Sequence, residues 1–144
     1  MRARLLAAAL SLATPAMADP VPVVTVHITF EPAAAKALID RGEWFVVSTY
    51  FSGDPAPAST LPEDEVGQVY LGAETVTLWP ADQTVTLGSS LAAAPLSQSL
   101  APNLNVNVFS ARFSGQDNLL DCGIVDGPMA DMAAAVQEIH CSLL

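Results

Sequence analysis

Residues 23–30 read Val-Val-Thr-Val-His-Ile-Thr-Phe, and their alternation decides the fold class. Val24, Val26, Ile28 and Phe30 fall on one side of an extended chain; Thr25, His27 and Thr29 fall on the other. Side chains of a strand point alternately to opposite faces, so this period of two predicts a half-buried strand.

Downstream the period changes. Glu31-Pro32 ends the strand, and Pro32 suits a first helical position, where no N–H is needed. Residues 33–41 are rich in helix formers, with Ala34, Ala37 and Leu38 expected to face the core and Gly42 to stop the helix. Glu43 to Phe51 is apolar on both sides: Trp44, Val46 and Tyr50 against Phe45, Val47 and Phe51. Such a run predicts a central strand covered on both faces. Pro55, Pro57 and Pro62 mark residues 52–65 as a loop.

Strand signals return over 66–73, 74–79 and 84–87. Pro80-Ala81-Asp82 between the last two suggests a hairpin. Residues 88–102 have little periodicity and predict a long loop, with a short helix through 91–94. Asn103, Asn105 and Asn107 then alternate with Leu104, Val106 and Val108, giving a strand with a wet and a dry face. Another strand is expected over 119–125, carrying Cys122. At the C-terminus two readings stand: Met129, Met132, Val136, Ile139 and Leu143 keep helical spacing, and the same stretch supports a helix from Gly127-Pro128 to about Ala134 followed by a strand with Ile139, Cys141 and Leu143 inward. The second is preferred, because a disulfide across two packed strands would tie the last one in.

Strands are not interleaved with long helices, which argues against parallel α/β winding. The expected fold is mainly β: an antiparallel β-sandwich, or small barrel, of about seven strands with one or two short helices and one disulfide.

Upstream lies a different kind of sequence. Arg2 and Arg4 precede the apolar run Leu5–Ala13; Thr14-Pro15 breaks it, and Ala16-Met17-Ala18 is a small-x-small site. This pattern predicts a signal peptide over residues 1–18, cut before Asp19. The run falls short of the roughly 20 apolar residues that a spanning helix takes. The expectation is an exported protein, periplasmic or secreted, with no membrane span in the mature chain. Residues 19–144 form a single β-rich domain, long enough to bury a real core.

The address explains the cysteines. Cys122 and Cys141 are the only two, and in an oxidising compartment they predict one disulfide. A loop of roughly 20 residues so closed is worth about 3 kcal/mol in the chain-entropy model.

Charge narrows the partners. Removing residues 1–18 leaves Lys36, Arg41 and Arg112 against fifteen acidic residues, a formal −12. That repels nucleic-acid phosphates and anionic lipid surfaces. It suits solubility, a basic protein partner or a cation.

Recognisable reactive chemistry is missing. There is no Gly-x-Ser-x-Gly elbow, Ser-x-x-Lys pair, phosphate loop, His-Glu-x-x-His or calcium loop. A triad would have to recruit His27 or His140, and nothing selects its serine. Glu63-Asp64-Glu65, and Asp117-Asn118 with Asp121 and Asp126, are oxygen-rich sets that hard cations prefer; Asp121 is otherwise expected to cap a turn or pair with Arg112. Trp44, Tyr50, Tyr70 and Trp79 suit a sugar- or peptide-binding face, Trp79 being placed at a strand end. The Asn103, Asn105 and Asn107 row suits strand addition if it lies on a sheet edge.

These readings converge on a small exported acidic binding or accessory protein, with no cofactor and no catalytic residues. Its expected partner is another exported protein or a peptide held by loops 52–65 and 88–103. Two alternatives stand beside it. One is an inhibitor of a basic extracellular enzyme such as a lysozyme, motivated by charge. The other is a metal-binding protein or metal-dependent enzyme, built on His27, His140 and the acidic clusters.

Overall fold

The alternating segment forms β1 (Val24–Phe30), which buries Val24, Val26, Ile28 and Phe30 and turns Thr25, His27 and Thr29 away from the core. The computed structural model describes residues 21–91 and 93–144; the expected signal peptide, residues 1–18, lies outside them. After β1 comes α1 (Pro32–Arg41), with proline at its start. Its buried residues are Ala34 and Leu38. Gly42 ends it at φ 63°, a left-handed conformation that costs glycine little, and its N–H donates to the Ile39 carbonyl at 3.0 Å.

The remaining elements are β2 (Phe45–Pro55), β3 (Val69–Leu78), β4 (Gln83–Leu87), α2 (Ala93–Leu96), β5 (Ser99–Ser110), β6 (Leu120–Cys122), β7 (Val125–Pro128), α3 (Met129–Met132) and β8 (Gln137–Leu143). They make two four-stranded sheets, ordered β4-β1-β8-β6 and β3-β2-β5-β7. One hydrophobic core fills the space between them. The first sheet contributes Val26, Ile28, Leu120 and Ile139; the second contributes Phe45, Val47, Phe51, Leu104 and Val106. Phe30 and Phe45 meet edge to face across it, with centroids 5.0 Å apart. Each such fully buried side chain contributes about 1.5–3 kcal/mol of hydrophobic stabilisation.

The mainly β sandwich, its short helices and its disulfide are as expected. Cys122 and Cys141 are register partners on antiparallel β6 and β8, with Cα atoms 4.1 Å apart. The bond ties an edge strand to the interior strand beside it. β8 also pairs in parallel with β1, so the first sheet is mixed.

Several details differ from the sequence reading. The described residues form eight strands, in keeping with about seven, the extra one arising because the segment 119–125 divides. β6 joins the first sheet; the chain turns at Gly123-Ile124, and β7 joins the second. The signals over 66–79 belong to one strand, β3. The expected hairpin of 74–79 with 84–87 does not form: β3 pairs with β2, and β4 pairs with β1. A corner between the sheets stands in place of the hairpin turn: Pro80 offers no donor, Asp82 accepts the Phe30 N–H at 2.9 Å, and β4 pairs along β1 from Gln83 to Leu87. β2 runs on to Pro55 and β5 begins at Ser99, which shortens both expected loops. Of the two C-terminal readings the structure shows the helix followed by a strand; Ile139 and Cys141 are buried, but Leu143 is 42% exposed.

Candidate functional site

The face of the second sheet turned away from the core collects most of the residues of interest. Cross-strand register defines it. Val46, Ser48, Tyr50 and Ser52 of β2 lie opposite Phe109, Asn107, Asn105 and Asn103 of β5. On the other side of β2, Val46 pairs with Thr77, Ser48 with Thr75, Tyr50 with Ala73 and Ser52 with Tyr70. Asp126 of β7 stands opposite Asn105.

β2 was expected to be covered on both faces, and it is not. Its inward residues Phe45, Val47 and Phe51 are fully buried, whereas Trp44 and Tyr50 are 37% and 46% exposed. Among the described residues, no second layer covers the outward face. Its aromatics shelter in pairs instead. Trp44 meets Trp79 edge to face at 5.7 Å, and Tyr50 tilts against Tyr70 at 5.2 Å. Trp79 and Tyr70 keep 44% and 52% exposure. Among the described residues, neither the indole N–H groups nor the phenol hydroxyls hydrogen-bond to protein, so their polar ends face outward.

Between and beside the aromatic pairs lies the asparagine row. It sits on β5, an interior strand flanked by β2 and β7, so strand addition at the asparagine row's own edge is ruled out. What β5 presents is side chains. Asn107 Nδ2 donates to Asn105 Oδ1 at 2.5 Å, and Asn105 Nδ2 donates to Asp126 Oδ1 at 3.2 Å. Ser52 Oγ donates to Gln68 Oε1 at 2.9 Å. Ser52, Gln68, Asn103, Asn105 and Asp126 line a polar depression of about 270 Å³ next to the tyrosine pair. The Asn103 side chain has no protein partner among the described residues.

The other candidate residues do not gather. His27 Nδ1 bonds Glu138 Oε2 at 2.9 Å, and Thr29 Oγ1 bonds His140 Nδ1 at 2.9 Å, both on the outward face of the first sheet. Asp64 Oδ1 accepts the N–H groups of Val66 and Gln68, closing its own turn. Asn118 Oδ1 accepts the Ser110 and Leu120 N–H groups, a local turn lock. Arg112 forms no ion pair with Asp121. Among the described residues, no three His, Cys, Asp or Glu side chains converge to hold a metal ion. The two expected partner-binding loops do meet. Thr60, Leu61, Leu71, Pro95 and Gln98 enclose a shallow groove of about 420 Å³ that opens beside Tyr70.

One important residue gave no signal in the sequence. Glu43 is 1% exposed. It accepts from Ser114 Oγ at 2.6 Å, Ser114 N at 2.8 Å, Phe113 N at 3.0 Å and Trp44 N at 3.1 Å. Burial alone would raise its pKa, but these donors together hold the carboxyl below its ordinary value. Glu43 thereby pins the 112–116 loop, where Arg112 takes a left-handed φ of 64°, and sets the backbone before Trp44.

The chain matches no known protein family, no curated protein and no solved structure. Any functional reading rests on this geometry.

Proposed function

We propose that the protein is an exported, non-catalytic binding or accessory protein whose ligand lies on the outward face of the second sheet. One observation carries this. Both tryptophans and both tyrosines of the chain stand half-exposed on that face, beside a row of asparagines, rather than in the core. Exposed aromatic side chains are the usual anchors of recognition surfaces. A rigid sheet holds them at little entropic cost to binding. The signal-like residues 1–18 and the Cys122–Cys141 disulfide support export.

The test compares the native protein with a variant carrying Tyr50→Ala, Tyr70→Ala and Trp79→Ala, each incubated with exported proteins and wall material from the source cells. A component retained by the native protein and lost from a variant with unchanged circular dichroism supports the reading. Equal retention by both contradicts it.

A further inference from the structure

The binding face differs in charge from the rest of the molecule. Fifteen acidic residues are spread along this chain. Yet the outward residues of β2 from Val46 to Ser52, of β3 from Tyr70 to Thr77 and of β5 from Asn103 to Phe109 carry no charge. They are aromatics, hydroxyls, carboxamides and small apolar groups. The acids beside them are Asp126, which lines the polar depression and accepts from Asn105, and Asp54, two residues beyond Ser52 on β2. A basic protein partner would be drawn to acidic surface elsewhere, not to this face.

Resting on the reading above, we propose that this face binds a neutral polysaccharide chain. Three features fit that chemistry. The apolar C–H faces of pyranose rings match exposed aromatic platforms. The hydroxyl edges of a sugar need neutral donors and acceptors together, which a carboxamide supplies in one side chain. Asn103 has both groups free, and Asn105 is already oriented by Asp126 and Asn107. The third feature is length. Trp44, just before β2, and Tyr50 within it are six residues apart along extended chain, which at about 3.3 Å per residue separates the two platforms by about 20 Å. An extended oligosaccharide of several rings reaches both, with one sugar seated in the polar depression beside Tyr50 and Tyr70. The proposal is of binding alone, with no bond made or broken.

Both tryptophans lie on the face, so intrinsic emission reports its occupancy. The experiment titrates neutral β-linked hexasaccharides of glucose, N-acetylglucosamine, mannose and xylose, with polygalacturonate as the acidic counterpart. The expected result is a saturable emission change with at least one neutral chain. Affinity should weaken on the order of tenfold or more in Tyr50→Ala and in Asn103→Ala, as for anchors of an interface. His27→Ala, on the opposite sheet, should bind as the native protein does. Tighter binding of polygalacturonate than of every neutral chain overturns the proposal. So does the absence of any response to the neutral panel. If the native protein then still retains a protein that the triple aromatic variant loses, the glycan assignment fails and the face survives; if retention is also equal, both fail.

Discussion

Glu43 shows how a single buried carboxylate organises its surroundings. Its oxygens satisfy two backbone N–H groups of the 112–116 loop and the Ser114 hydroxyl. Replacing it with glutamine leaves an amide group facing donors, so we expect Glu43→Gln to cost about 2–3 kcal/mol in urea unfolding at neutral pH. The sign of the pH effect follows from its lowered pKa. The folded state binds that proton more weakly than the unfolded chain does. Glu43 therefore stabilises the fold above its unfolded value of ~4.3, and the contribution is lost as pH falls through the folded value. Unfolding from pH 7 down to 2 should show a shallower acid loss in Glu43→Gln than in the native protein. Thr49 is the opposite case. It is 1% exposed on the inward side of β2, and its hydroxyl has no partner. Thr49→Val removes an unpaired polar atom at nearly constant shape, and thermal melts should show unchanged or higher stability, by up to about 1 kcal/mol.

At the scale of elements, two joints invite tests. The Cys122–Cys141 bond closes a span of 19 residues between β6 and β8. Replacing both with serine should lower stability by about 3 kcal/mol. Reductant should shift the urea midpoint of the native protein toward that of the variant and leave the variant unmoved. Where the β2–β5 register shifts, a Cβ at Gly53 would lie 2.1 Å from Ser99 Oγ and 2.9 Å from the Ala101 carbonyl oxygen. The hydroxyl can rotate, but the carbonyl can move only with the strand. Gly53→Ala should cost about 1–3 kcal/mol by overpacking, read from denaturant midpoints. These joints also mark how far the sequence was legible. β1 and α1 follow from period, proline and glycine alone, because local pattern and burial agree there. The partners of β3 and β4 do not, because Pro80-Ala81-Asp82 is compatible with a hairpin and with a corner between sheets. The corner is fixed by contacts distant in sequence, among them the Asp82–Phe30 hydrogen bond between residues 52 apart and the β1–β4 ladder. The division at Gly123-Ile124 was hidden for the same reason: nothing local says that Leu120 and Val125 enter different sheets.

At the scale of the whole molecule, the sandwich has one outward face of threonines, histidines and acids and another of aromatics and amides. Trp79, Asn103, Asn105 and Asn107 were legible as separate polar or exposed residues. That they share a face with Trp44, Tyr50 and Tyr70 depends on β2 lying between β3 and β5. Strand order is a non-local property that no window of sequence contains. Ser52 and Gln68 gave no signal, being ordinary polar residues until the register places them beside Asn103. The central claim is that this face is where the molecule meets its ligand. Acrylamide quenching of Trp44 and Trp79 tests it most directly, measured with and without a saturating amount of whichever component the native protein retains. Ready quenching of the free protein and clear protection when the ligand is bound are the expected results. Unchanged quenching in a demonstrably saturated complex would place the ligand elsewhere and contradict the claim.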